Sequence, residues 1–106
     1  MFYKKDNSKY RQGLDGITFK TLVYGNHTSL SEFKLRKDSI IPNHTHPHEQ
    51  TGYMISGKMT FIIDGKRFDT NPGDSWSIPG NVEHGVEVHE DSIVIEVFSP
   101  VREEYL

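Results

Sequence analysis

Three of the six histidines of this chain lie in one stretch, IIPNHTHPHEQTGYMISG, which spans residues 40–57. His44 and His46 are two positions apart, so in an extended segment their side chains point to the same face. Gln50 has the same parity, although Pro47 interrupts the segment between them. The stretch therefore offers two imidazole nitrogens and one amide oxygen, which are ligands that divalent first-row metals accept.

A second segment, GDSWSIPGNVEHGVEV at residues 73–88, supplies a distant histidine. His84 follows a Pro-Gly turn, and Val86 and Val88 occupy the alternate positions after it. Because alternate residues of a strand share a face, His84 is expected to point inward with these two branched side chains. An inward histidine on another strand would complete a site of three histidines and one oxygen ligand.

Short segments rich in β-branched and aromatic residues alternate with turn residues along the chain. Six of them are predicted strands, at residues 18–24, 51–55, 59–63, 74–78, 82–88 and 93–98. In FIIDGKRF, residues 61–68, an Asp-Gly pair of the type I′ kind joins two strands. No segment holds a 3.6-residue apolar period over three turns. The pattern predicts an all-β sandwich or barrel, with residues 1–106 as a single domain.

Composition narrows the range of partners. The formal net charge is −3, which argues against nucleic acid, because phosphate contacts need a basic surface. No apolar run approaches the roughly 20 residues that span a bilayer, so no membrane partner is expected. The chain has no cysteine, which excludes disulfides and thiolate ligands and is compatible with the cytoplasm. At 106 residues the chain can bury a core without a structural metal, so a bound metal is expected to be functional.

Both histidine segments resemble the two motifs of the cupin family. The first is HxHxxxQ at residues 44–50, followed by glycine at 57, and the second is GxxxxxPxNxxH at residues 73–84. The resemblance implies a small jelly-roll β-barrel. It also implies that one divalent transition metal, such as Ni, Zn, Mn, Fe or Co, is held by His44, His46, Gln50 and His84.

Two positions depart from the usual pattern of that family. Asp38 stands where the first motif usually opens with glycine, which concerns the backbone and leaves the ligands unchanged. Gln50 stands where glutamate is more common. A neutral Gln50 leaves the full charge of a divalent ion uncompensated by the protein. The ion would then be a stronger Lewis acid and would favour an anionic ligand such as a carboxylate.

The C-terminal stretch SIVIEVFSPVREEYL, residues 92–106, contains an acid within an apolar strand. Glu96 shares its parity with Val94 and Phe98. Burial of an ionisable group is unfavourable unless the group is paired or used. The pattern alone is equally compatible with a Glu96 that faces solvent at a sheet edge.

The same tail resembles that of the small cupins associated with pectin degradation. Those proteins often end in a strand with an inward acid, then Phe-Ser-Pro, an arginine and a close of acidic, aromatic and leucine residues. The resemblance implies a lyase- or isomerase-type enzyme that converts 4,5-unsaturated monouronates from pectin or alginate to the linear ketone. It makes Glu96 and Arg102 the catalytic residues, with Glu96 in place of the more common aspartate, and it makes Phe98 a residue of the substrate pocket.

The remaining histidines and the chain ends carry lesser expectations. His48 is expected in the pocket wall and Glu49 in solvent, while His27 and His89 match no motif and are expected at the surface. Small cupins usually pair, so the resemblance implies a homodimer. Its candidate contacts are residues 1–10 with Tyr105 and Leu106.

Two other functions fit the same motifs, because a fold does not determine a reaction. One is another metal-dependent cupin chemistry, either a dioxygenase or an isomerase of a different small polar substrate. The other is a non-catalytic cupin that binds a sugar acid or a metal. Oxygen consumption with Fe(II) would indicate the dioxygenase, and saturable binding of uronates without conversion would indicate the binding protein.

The Gln50→Glu variant is expected to bind its metal more tightly than the wild-type chain. The added carboxylate compensates one unit of the charge of the ion, whereas the amide of Gln50 compensates none. Competition titration against a chromophoric chelator measures the difference. An unchanged affinity would argue against Gln50 as a ligand.

Overall fold

Eight strands make up nearly all of the regular structure in the computed structural model, which describes residues 1–106. The strands are β1 (Arg11–Gln12), β2 (Ile17–Tyr24), β3 (Ser29–Leu35), β4 (Ile40–His44), β5 (Glu49–Ile63), β6 (Lys66–Thr70), β7 (Ser75–Ile78) and β8 (His84–Ser99). One 3-10 turn, Glu103–Tyr105, follows. The all-β prediction is confirmed. No helix has the length and apolar character that crossing a membrane would need.

The two longest strands organise the sheet. β5 and β8 contain 15 and 16 residues, and every pairing is antiparallel in the order β1-β2-β3-β8-β5-β6. Each long strand also has a second partner: β4 pairs with the first part of β8, and β7 pairs with the first part of β5. Residues 92–98 of β8 pair instead with β3. β5 and β8 thus link the two walls of one barrel.

Both long strands bend at the same level. The register between them shifts at residues 54–59 of β5, opposite residues 88–94 of β8. Beyond the bend each strand returns toward the end where it began. Gln50 pairs with Phe98 near the end of β8, and His84 is the first residue of β8. Both Gln50 and His84 lie close to His46, so the two ends of β8 are close together. The first and last residues of β8 therefore meet at one end of the barrel, which we call the open end.

Gly57 lies at this bend and explains why the predicted strands 51–55 and 59–63 form one element. Its φ is +102°, which side chains other than glycine rarely adopt. A Cβ at this position would also overlap the hydroxyl of Ser92 and the carbonyl of Asp91. The expected break is thus a bulge inside β5. Segments 82–88 and 93–98 likewise lie within β8.

Two turns behave as their residues predict. Asp64 and Gly65 have φ values of +51° and +77°, as a type I′ turn requires at both central positions. Asp38 has φ +70°, which glycine adopts without strain and aspartate tolerates. This conformation is the physical reason for a glycine at that place in the motif.

Strands β3 and β4 were not among the predicted strands, and each has a local reason. β3 directs Ser29 and Ser31 into the barrel, so its inward face does not appear apolar in the sequence. β4 contains Pro42, which the sequence pattern counts as a breaker. Proline is accepted there because β4 pairs on one side only.

The hydrophobic core lies inside the barrel and reaches the site, since the ring of Phe61 is 6.5 Å from that of His84. Its hydrophobic cluster consists of Ile17, Leu35, Met54, Met59, Phe61, Ile78, Val86, Val88 and Val94. The inward parity predicted for His84, Val86 and Val88 is confirmed, since all three side chains are buried. Glu96 lies on the central strand β8 and is buried with Val94 and Phe98, which excludes an edge position that faces solvent.

The tail after β8 folds back over the barrel. Four hydrogen bonds attach it to the first three strands: Arg11 Nη1 to Leu106 O (3.2 Å), Arg11 Nη2 to Glu104 O (3.2 Å), Thr21 Oγ1 to Tyr105 O (2.8 Å) and Arg102 N to Ser29 Oγ (3.2 Å). The ring of Tyr105 packs against Phe19, with 4.6 Å between centroids. Residues 1–10 form no regular structure, and the homodimer stays a prediction.

Gly57→Ala is expected to destabilise the chain by at least about 2 kcal/mol, from the left-handed backbone and the overlap with Ser92. Gly25→Ala is the matched control, because nothing lies within 4 Å of an added Cβ there. Urea unfolding of both variants measures the difference. Equal stabilities would show that the bend in β5 does not need a glycine.

Candidate functional site

Three imidazoles meet at the open end of the barrel. His44 ends β4, His46 lies in the following turn and His84 begins β8 opposite His44. One nitrogen from each ring lies within 4.8 Å of the others. The structure therefore brings together the three histidines that the two motifs single out, although two of them come from one segment and the third from a distant strand.

Backbone carbonyls orient all three rings. Each carbonyl faces an Nδ1 atom, and since a carbonyl only accepts hydrogen bonds, that nitrogen must carry the proton. The Nε2 atoms are then left with free lone pairs, as in histidines that ligate metals. The pairs are His44 Nδ1 with Pro42 O (3.0 Å), His46 Nδ1 with His48 O (3.1 Å) and His84 Nδ1 with Val82 O (2.8 Å).

Two of the Nε2 lone pairs have no hydrogen-bond donor to satisfy them. His84 Nε2 is buried without a hydrogen-bond partner. His46 Nε2 lies 3.1 Å from Gln50 Oε1, which brings two acceptors together once Nδ1 holds the ring proton. An unsatisfied buried nitrogen and a pair of facing acceptors are both unfavourable unless a positive charge lies near these atoms. The residues present therefore fit a divalent metal.

Burial keeps the imidazoles in the state that binds metal. It lowers the pKa of His46 to about 4, with the positive charge of Arg102 as the next cause. Burial is also the main cause that lowers the pKa of His84. Because metal binding requires the neutral ring, neither residue needs to lose a proton to bind an ion at pH 7.

Gln50 connects the histidines to the buried acid. It begins the inward face of β5, with its oxygen toward His46, and a hydrogen bond from its side chain lowers the pKa of Glu96. An amide serves both neighbours because its oxygen accepts or ligates while its nitrogen donates. A glutamate here would instead set two carboxylates side by side, which raises the pKa of at least one of them. The departure from the family pattern thus suits this chain.

Glu96 is the most strongly perturbed acid in the structure. The residue is 4% exposed, and burial raises its pKa to about 8. Trp76 Nε1 donates to both carboxylate oxygens, at 3.0 and 3.1 Å, and opposes part of this rise. Glu96 therefore holds a proton at pH 7 and is poised for proton transfer.

Gly52 makes the contact between Trp76 and Glu96 sterically feasible. It lies on β5 between them, paired in register with both residues. A Cβ at Gly52 would overlap the indole nitrogen and the carboxylate. Sequence reasoning assigned no role to Trp76 or Gly52. The signal available was a single tryptophan at alternate spacing from Ile78, which indicates an inward ring without naming its partner.

Arg102 is held over the site by aromatic rings. Its guanidinium lies 4.9 Å from the centroid of Phe98 and 4.1 Å from that of Tyr105. Nε donates to Glu104 at 2.7 Å, and the side chain is 12% exposed. Its charge lowers the pKa of Glu96, so the guanidinium faces the site rather than the solvent alone. These contacts leave part of the planar fork for an anionic ligand.

These groups line a cavity of about 530 Å³ inside the barrel. Its lining includes most of the predicted site residues, namely His44, Gln50, His84, Glu96, Phe98 and Arg102, and it also includes Tyr105. His46 is buried and is not among the lining residues. His48 lines a neighbouring depression beside the tail, with its ring 6.5 Å from that of Phe98, and its place in the substrate pocket stays a prediction. Glu49, His27 and His89 are exposed, as predicted.

Metal-free protein is expected to lose about 2 kcal/mol of stability between pH 6.5 and 8, since one proton changes the free energy of unfolding by about 1.4 kcal/mol per pH unit. Folded Glu96 keeps its proton to about pH 8, whereas its unfolded pKa is near 4.5, so rising pH favours the unfolded chain. The lowered pKa values of His46 and His84 act in the opposite direction, mainly below pH 7, because the histidines of the unfolded chain bind protons there.

Urea unfolding in the presence of a chelator measures this slope. Glu96→Gln removes the titrating group and should flatten it. Glu90→Gln, an exposed position on the same strand, should leave it unchanged. A slope that survives in Glu96→Gln would assign the proton to another group.

Comparison with known proteins agrees with this geometry. The family model described as a cupin domain (Cupin_2) matches residues 31–99. The chain is 27% identical to pectin degradation protein KdgF of Dickeya dadantii, over 99% of this chain and 97% of the relative. It is 35% identical to acireductone dioxygenase of Bacillus subtilis, over 65% of this chain and 44% of that protein.

Solved structures show the same relationship over the whole length. KdgF from a Halomonas species superposes with a TM-score of 0.93 at 28% identity, with 100% of both chains covered. An RmlC-like cupin from Shewanella frigidimarina also gives 0.93, at 25% identity over 99% of this chain and 95% of that one. With its matched family model, paired strands and clustered histidines, this chain belongs to the cupin family.

Proposed function

We propose that this chain is a metal-dependent cupin enzyme that converts 4,5-unsaturated monouronates to their linear ketone form. The observation that carries the proposal is a buried Glu96, whose pKa burial raises, beside the histidine cluster, with Arg102 lining the same cavity. The similarity to pectin degradation protein KdgF over nearly the full length of both chains supports it.

His44, His46, Gln50 and His84 would hold the metal. A divalent ion in this position supplies Lewis-acid polarisation of a bound oxygen. Its identity is open among Ni, Zn, Mn, Fe and Co, since all accept imidazole and oxygen ligands.

The cationic side of the cavity orients the substrate. Arg102 offers a planar donor fork that matches a carboxylate, and stacking on Phe98 and Tyr105 limits its motion. Phe98 is buried next to it and presents its ring to the cavity, where the apolar face of a sugar ring can pack. A small acid is thereby placed with its carboxylate toward Arg102 and its ring toward Glu96.

Glu96 would carry the proton. Its raised pKa means that it enters the reaction as an acid and delivers its proton to carbon 4 of the enol ether. The bond between carbon 1 and the ring oxygen then breaks as the carbon 1 hydroxyl loses its proton to Glu96. The result is a carbonyl at carbon 1 and another at carbon 5, with Glu96 protonated again and no water consumed.

Trp76 would keep the acid in place through the cycle. Its indole N–H donates to both oxygens of Glu96, so the carboxylate that forms after proton delivery is stabilised by a donor that is already aligned. The side chain of Gln50 is a second donor, which also lowers the pKa of Glu96. Both contacts fix the rotamer of Glu96 before the substrate arrives.

A dioxygenase is the second candidate, supported by the 35% identity to acireductone dioxygenase over part of the chain. Its protein ligands would be the same, and the difference lies in whether oxygen is consumed.

The predicted homodimer and the cytoplasmic location stand on the family resemblance and on composition.

The test is a screen of metal-loaded protein against unsaturated galacturonate and guluronate, with elemental analysis of the same sample. Loss of ultraviolet absorbance without oxygen uptake is expected, and Glu96→Gln should reduce the rate at least 100-fold with unchanged metal content, about the contribution of one general acid. Glu90→Gln is the matched control and should retain the wild-type rate.

Full activity in Glu96→Gln would remove Glu96 from the mechanism. Oxygen uptake with Fe(II) and no change in the uronates would favour the dioxygenase instead. Saturable uronate binding without conversion would identify a binding protein.

A further inference from the structure

Most of the cavity wall is hydrophobic and lies outside the group of polar residues that the proposed reaction uses. Its volume of about 530 Å³ lies in the range that holds a drug-sized ligand. Of its 20 lining residues, 12 are hydrophobic. The ionisable and amide groups all belong to the open end, so most of the wall has no part in the proposed proton transfer.

Polar and apolar groups separate along the barrel axis. On β8, two residues inward from Glu96 is Val94, which pairs with Phe33 of β3. Two residues inward from His84 is Val86, which pairs with Phe61 of β5. Because both ends of β8 meet at the open end, its middle forms an apolar floor. We use apolar floor for Ile17, Leu35, Met59, Val86 and Val94, all of which line the cavity and are buried.

The apolar floor has no side chain that can bind a hydroxyl group. The buried serine and threonine side chains of the barrel, at Ser29, Ser31, Thr60, Thr70 and Ser92, are absent from the cavity lining. A sugar hydroxyl placed there would lose its hydrogen bonds to water without replacement. An alkyl or aromatic group would instead gain free energy from leaving water.

Apolar residues also line the cavity near the free edges of β1 and β4. β1 pairs only with β2, and β4 pairs only with β8, so each has a free edge. Leu14, which follows β1, and Ile41 and Pro42 of β4 line the same cavity. Leu14 is 51% exposed, so an apolar side chain stands where this part of the cavity meets solvent.

We propose that the apolar floor is a second subsite, which takes the alkyl or aromatic group of a small carboxylic acid whose anionic end lies at Arg102 and the histidines. The inference rests on the proposed function for the anionic end alone. It assigns to this chain a ligand class that is amphipathic, with a carboxylate at one end and at least several apolar carbons at the other.

A series of straight-chain carboxylates tests the subsite. Calorimetric titration of metal-loaded protein with butanoate, hexanoate, octanoate and decanoate should show affinity rising about fourfold per methylene, the equivalent of about 0.8 kcal/mol, until the floor is filled. Equal affinity across the series would overturn the proposal.

Two variants locate the binding. Val86→Phe fills the apolar floor and should abolish the gain with chain length, whereas Ile95→Phe places the same ring at an outward position of the same strand and should retain the gain. Leu14→Asp, at an exposed position, tests the opening without altering the core and should weaken octanoate binding at least fivefold. Tyr24→Asp is its control, since Tyr24 is 59% exposed and does not line this cavity. Equal losses in variant and control would place the binding elsewhere and overturn the proposal.

The proposal and the proposed function fail separately. Turnover of unsaturated uronates with a flat carboxylate series would retain the reaction and overturn the second subsite. A rising series that Val86→Phe abolishes, in a protein that leaves the uronates unchanged, would retain the subsite and overturn the reaction.

Discussion

The bend shared by β5 and β8 is the constraint on which the site depends. Each strand leaves the open end, turns near Gly57 and Ser92 and returns, so residues from both of its ends meet. That return brings His84 and Glu96, twelve positions apart on one strand, to the same cavity. A glycine is required at the turn because of its backbone conformation and because Ser92 occupies the space of a side chain. Without the bend, the metal ligands and the acid would lie far apart along an extended strand.

Most of the ionisable side chains at the open end are uncharged at pH 7. Burial keeps His46 and His84 uncharged and Glu96 protonated at pH 7, so the open end carries little charge of its own apart from Arg102. Gln50 keeps to this pattern, since its amide contacts a ligand on one side and the acid on the other without adding a second carboxylate. An anionic substrate would therefore meet a cationic site, with the proton that it needs already present on Glu96.

Sequence reasoning was most accurate where a local rule decides the outcome. The Asp-Gly hairpin, the inward parity of His84 and the exposure of Glu49 depend on neighbours within a few positions, and the structure agrees with each. It missed β3 because that strand turns serines into the barrel. It did not foresee that the tail folds back over the barrel, where Thr21 donates to the carbonyl of Tyr105 and the ring of Tyr105 packs against Phe19.

The sequence by itself determined the cupin motifs, which depend on residue spacing, and the all-β class, which follows from short β-rich segments between turn residues. Only the tertiary structure decided that Trp76 reaches Glu96 across Gly52, since the three residues lie on different strands. It alone decided that Glu96 faces inward and how far its pKa rises, because burial depends on the strands packed on either side. The physical reason is the same throughout: parity is a property of one strand, whereas desolvation and hydrogen-bond partners belong to the assembled barrel.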